Sequence, residues 1–269
     1  MKIITIINLK GGVGKTISAI NIAYILTAVY KMRVLLIDND KQGNVSKFFN
    51  LHSDDAPGMT EIMTVKGVDA SALIQTTAYA GLDVITANMG LLHANREALI
   101  DQSRPQQTRL KLALKPLENA YDYAVVDCAP DINMSVINAL AVAHDVLIPV
   151  KIDNFAFDGL KELVEQIEVI REAYNPALTV KGCFITMYQY NNVNVSGVEW
   201  LEKSTDYPIF KTSIRKTVKV DESTFAGIPL LEYARKSTAG RDYEALVGEY
   251  LHPLKVTETI TKEGSGKIA

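Results

Sequence analysis

No apolar stretch in these 269 residues approaches the roughly 20 that a membrane-spanning helix needs. The chain opens on the strand-like run IITII, where an exported protein would carry a charged leader and a cleavage site. A soluble, unexported, cytoplasmic protein is therefore expected. Cysteine is almost missing: Cys128 and Cys183 stand 55 residues apart, and the four histidines (His52, His93, His144, His252) are scattered. Neither set has metal spacing or makes a disulfide framework, which suits a reducing compartment. Net charge is small too. Twenty-eight Lys plus Arg against 31 Asp plus Glu leave -3, so nothing draws the whole chain to nucleic acid or anionic lipid, and any such binding must use a local patch. Internal repeats and Pro/Gly-rich linkers are absent. Only KVTETITKEGSGKIA, residues 255–269, reads as a polar, disordered tail. Residues 1–254 are then expected to be one domain.

What is present is alternation. Ile3 to Ile7, Val34 to Ile37, Val84 to Thr86, Tyr123 to Val126, Val146 to Val150 and Cys183 to Met187 are short runs rich in β-branched residues. Nearly all are too continuously apolar to be half-exposed, so they read as buried parallel strands. Between them Thr16 to Tyr30, Gln107 to Asn119, Asn133 to Ala143, Phe157 to Ala173 and Ala239 to Leu251 have helical spacing and length. Such alternation predicts an α/β fold: a mostly parallel, twisted sheet with helices on both faces.

Between the first strand and the first helix stands KGGVGKT, Lys10 to Thr16. In that context a glycine-rich turn wraps phosphates with backbone N–H groups, and the helix dipole adds positive potential. Gly11, Gly12, Val13, Gly14, Lys15, Thr16 and Ile17 form the phosphate site, Lys15 reaching the outer phosphates and the Thr16 hydroxyl taking Mg²⁺. Lys10 is a second cation at the mouth of the loop, one that a phosphate loop does not ordinarily need.

The pattern K-G-G-x-G-K-T resembles the deviant Walker A motif of the ParA/MinD family of P-loop ATPases, in which ATP is sandwiched between two subunits and the first lysine crosses to the partner's nucleotide. VLLIDNDKQGN (Val34 to Asn44) is similar to that family's second-strand motif, and YDYAVVDCAP (Tyr121 to Pro130) to its Walker B strand. The resemblance implies that Asp40 helps hold the Mg²⁺ shell and the attacking water with Asp38 beside it, and that Asp127 binds Mg²⁺ through water. Lys10, Lys15 and Asp40 would then be the catalytic groups. A carboxylate at a strand's C-terminal edge faces the phosphate crevice, so Asp127 also fits on chemical grounds. Asn138 to Leu160, Ile185 to Asn192, Lys211 to Ser223 and Gly227 to Leu246 extend the likeness to partition ATPases of the ParA/Soj type over nearly the whole domain. With the loop beginning so early, an N-terminal DNA-reading domain is not expected.

That resemblance implies an ATP-dependent homodimer that binds DNA nonspecifically, hydrolyses ATP slowly and is stimulated by a ParB-like centromere-binding partner. Several positions depart from the family. Lys41 replaces a proline after Asp40, Ala129 and Asp131 replace a proline and a small hydroxyl residue, and Arg215 stands where I-P-R-N has proline. The adenine region, expected around Met187 and Arg215, is the part these changes touch most. Lys211, Arg215, Lys216 and Lys219 fall within nine residues, and Arg235, Lys236 and Arg241 within seven. If dimerisation joins two such patches, they become a phosphate-binding surface. A MinD-like membrane role would need an amphipathic C-terminal helix, which TETITKEGSGKIA does not encode, so no membrane partner is expected. A nucleotide-dependent switch with little hydrolysis is the remaining alternative, and intact Asp38, Asp40 and Asp127 argue against it.

Overall fold

Each buried strand carries alternating side chains to opposite faces, so one strand can serve two cores at once. In the computed structural model, which describes residues 1–153, 156–205 and 207–252, the chain uses that property throughout. The elements are β1 (Lys2–Ile6), α1 (Lys15–Ala28), β2 (Val34–Asn39), α2 (Asn44–Phe48), α3 (Met59–Thr64), β3 (Ile74–Thr76), β4 (Leu82–Ile85), α4 (Gly90–Ile100) and α5 (Arg109–Leu114). They continue with β5 (Tyr123–Cys128), α6 (Met134–Val142), β6 (Asp145–Lys151), α7 (Ala156–Tyr174), β7 (Thr179–Thr186), α8 (Asn192–Ser204), α9 (Val218–Ala226), α10 (Leu230–Tyr233) and α11 (Thr238–Leu251). The seven strands lie in the order β3-β4-β2-β5-β1-β6-β7, all parallel except β3, which pairs antiparallel at the edge.

Ile3, Leu35, Ile37, Ala124, Val126 and Ile148 point to a core closed by α3 to α7. Their neighbours Ile4, Leu36, Val125 and Leu147 point to a second core closed by α1, α2, α10 and α11. Burial on both faces is why these strands read as continuous apolar runs. Helix α1 is buried almost all round, between the sheet and α11. Across the contact with α11 the Ser18 and Tyr243 hydroxyls lie 3.0 Å apart, and from α10 the Leu230 N–H donates to Asn21 Oδ1 at 2.8 Å.

One expected element needs correction. The helix predicted over Gln107 to Asn119 is α5 followed by a 3₁₀ turn over Lys115–Leu117. Pro116 has no N–H and its ring clashes with the carbonyl four residues back, which ends the α-helix there. The sequence pattern also gives no sign of the edge strand β3 or of helices α2, α3, α4, α8, α9 and α10. The polar tail at 255–269 lies outside the described residues.

Candidate active site

The loop after β1 is shaped by two glycines in left-handed conformation, Gly12 (φ 70°) and Gly14 (φ 86°). A Cβ at Gly12 would meet nothing within 4 Å, so there the demand is conformational. Gly14 is also the N-cap of α1, and the first-turn amides of Lys15, Thr16 and Ile17 have no intrahelical acceptor. The Thr186 hydroxyl at the end of β7 donates to Val13 O at 2.8 Å, tying the loop to the far strand. Lys15 is buried and its Nζ donates to Lys10 O at 2.9 Å. Burial lowers its pKa, opposed first by Asp127 and then by Asp40.

Register brings the carboxylates together, since Asp38 on β2 pairs directly with Asp127 on β5. Asp38 is fully buried and accepts from Ser46 N–H at 2.9 Å and from Ser46 Oγ at 2.6 Å. Burial nevertheless pushes its carboxyl up to about 7. Asp40 starts the turn into α2 and accepts from Gln42 N–H at 2.9 Å. Both oxygens of Asp127 are buried without a hydrogen-bond partner among the described residues. Burial and then the neighbouring Asp38 raise its pKa well above the ordinary value, and the nearby Thr16 hydroxyl, short of a well-formed hydrogen bond, partly opposes them. Thr16, Asp40 and Asp127 make an all-oxygen donor set, the chemistry that suits Mg²⁺. No cluster of three or more acidic, His and Cys side chains that could hold a metal ion by itself occurs among the described residues.

Thr16 and Asp40 line a cleft of about 680 Å³ running from Gly11, Gly12, Gly14, Lys15 and Ile17 past Pro130 to Met187 and on to Val220 and Phe225. Met187 and Arg215 meet in a smaller adjoining crevice of about 80 Å³ with Thr186, Lys216 and Asp221. Arg215 does not turn into that crevice as a free cation, because its Nε and Nη2 both donate to the Asp242 carboxylate. Lys10 is held as well, its Nζ ion-paired to Asp153 beyond the end of β6. Nothing in the local sequence marks Asp153, although it follows a buried parallel strand just as Asp127 ends one.

The basic residues divide into two kinds. Arg215 and Lys219 are engaged by Asp242 and Glu222. Lys211, Lys216, Arg235, Lys236 and Arg241 are exposed and form no ion pair among the described residues. The Arg215–Asp242 bond sets Lys216 beside the start of α11, where Arg241 lies and which Arg235 and Lys236 precede.

A glycine loop between a central parallel strand and a helix, with acidic strand ends facing it, defines a P-loop NTPase. A sequence profile described as an AAA domain matches residues 1–180. The chain is 33% identical over 249 residues to the sporulation initiation inhibitor protein Soj of Bacillus subtilis, covering 92% of this chain and 97% of that one. It is 33% identical over 251 residues to the chromosome partitioning protein ParA of Myxococcus xanthus, covering 93% and 88%. Among solved structures, cobyrinic acid a,c-diamide synthase from Mycobacterium smegmatis, with bound ATP analog and magnesium, superposes with a TM-score of 0.81 at 25% identity, covering 93% of this chain and 94% of that one. The chain belongs to the Soj/ParA family of partition ATPases.

Proposed function

We propose that this chain is a Mg²⁺-dependent ATPase that dimerises on ATP, binds DNA nonspecifically as a dimer, so that it associates with the nucleoid, and is reset by a ParB-like centromere-binding partner. The observation that carries the reading is the buried Asp127 carboxylate, without a hydrogen-bond partner among the described residues, at the end of β5 beside the strand that leads into the double-lysine loop. An orphaned buried carboxylate is costly unless a ligand completes it. Thr16, Asp40 and, through water, Asp127 would hold Mg²⁺, which supplies charge neutralisation at the phosphates. Lys15 would leave the Lys10 carbonyl for the outer phosphates. Asp40 would orient the attacking water, and Lys10 of the second copy would offset the charge that grows in the transition state.

The test is a contrast between two variants. Lys10→Ala is expected to bind ATP as a monomer yet lose dimerisation and turnover together. Asp40→Ala is expected to form a long-lived ATP dimer whose hydrolysis falls about 100-fold or more, the usual scale for a lost transition-state contact. Light scattering in ATP, with phosphate release measured with and without DNA, reads both. A Lys10→Ala variant that dimerises and turns over like the parent would end the sandwich reading.

A further inference from the structure

Lys10 occupies a built position. Its N–H donates to Asn8 Oδ1 at 2.9 Å, and Asn8 Nδ2 donates to Pro149 O at 2.8 Å, so the mouth of the loop is tied to β6. Its ammonium meets both carboxylate oxygens of Asp153, two residues past β6. The side chain of the adjoining Ile152 packs tightly on α8: a Cβ at Gly197 would stand 2.3 Å from Ile152 Cγ2, which is closer than any real contact. The two side chains are 30% and 31% exposed, so the pair is partly desolvated and reachable from outside.

We propose that Asp153 is a positioning residue that competes with the nucleotide of a second copy for the Lys10 ammonium, and so sets how much protein and ATP are needed to form the dimer. The proposal rests on the partition-ATPase reading, in which Lys10 crosses to that nucleotide. While the ion pair holds, Lys10 is folded back on its own chain. For the lysine to cross, the pair must break, once in each copy. A partly exposed pair couples by a factor of about three to five. Two pairs broken together therefore raise the dimerisation concentration by about ten- to 25-fold.

The test measures dimerisation by sedimentation in a non-hydrolysable ATP analogue, alongside binding of a fluorescent nucleotide to the monomer. Asp153→Asn keeps shape and removes charge. It is expected to dimerise at about tenfold lower protein concentration with monomer nucleotide affinity within twofold of the parent, while Asp153→Glu stays near the parent. In a Lys10→Ala background, itself expected to stay monomeric, the Asp153→Asn change is expected to restore no dimer at any protein concentration reached. A parent that shows no nucleotide-dependent dimer removes the partition reading and the proposal with it. A parent that dimerises while Asp153→Asn needs the same or more protein overturns the competition alone, as does an Asp153→Asn effect that survives the loss of Lys10.

Discussion

Asp40 and Asp127 act on the buried ammonium of Lys15, Asp38 stands in register with Asp127, and among the described residues only some of these carboxyl oxygens accept hydrogen bonds. Such an arrangement is kept at the expense of stability in the ligand-free protein. For Asp38 the sign follows from its carboxyl rising from the usual 3.8 to about 7 on folding. A group whose pKa is raised by folding stabilises the protein fully below its unfolded value, and that contribution is lost as pH rises through the folded one. Asp38→Asn is therefore expected to gain on the parent as pH rises from about 4 to about 7, by up to about 1.4 kcal/mol per pH unit, and then hold its lead. Urea titrations across that range check it, and a gap that stays flat would remove the burial penalty from the account. Lys15→Ala tests the loop itself: nucleotide affinity is expected to fall about 100-fold or more with the far-ultraviolet dichroism unchanged. The loop and the three aspartates were legible because each stands where a motif and a strand end coincide. The partner of Lys10 was not, since 143 residues separate it from Asp153 and the segment after β6 reads only as the approach to a helix.

At the scale of elements, the central strands were readable because burial on both faces leaves no polar alternation to confuse them, as in the fully buried β2. The edge strand β3 has only three residues, none of them buried, and so carries no comparable signal. Helix α8 has exposed Val193 and Trp200 and no clean apolar stripe, which hides it from a periodicity reading. Asp242 shows how one helix organises its surroundings: from α11 it accepts the Arg215 backbone N–H at 3.0 Å as well as the guanidinium. Asp242→Ala leaves that N–H without its acceptor and is expected to destabilise the fold by about 1–3 kcal/mol. It also releases Arg215, so DNA affinity at low salt is expected to rise, with a steeper salt dependence by about one counterion. Thermal unfolding and fluorescence anisotropy at several salt concentrations measure the two effects. Stronger binding without the steeper slope would mean that Arg215 does not reach phosphate.

Lys216, Arg235, Lys236 and Arg241, which form no ion pair among the described residues, gather around the N-terminal end of α11, with Lys211 at its other end, although the chain as a whole is slightly acidic. Arg215 and Lys219 belong to ion pairs, so the patch is better tested through Lys216, Arg235 and Lys236. Reversing those three to Glu is expected to abolish DNA retention while ATP-dependent dimerisation survives, because electrostatics dominates nonspecific affinity. DNA binding that persists in the reversed protein would place the contact surface elsewhere. Sequence alone reached both basic runs but not their meeting, which depends on the bond between Arg215 and Asp242 across 27 residues. Helix α1, packed on nearly every side, carries one more consequence. Its amides beyond the first turn can exchange with solvent deuterium only when the sheet or α11 comes away, so they belong with the slowest-exchanging protons of the protein. The phosphate loop is thus hinged to the least yielding part of the chain, and a signal that nucleotide has arrived must travel outward through the strand-end turns, with the helix behind the loop as a fixed stop.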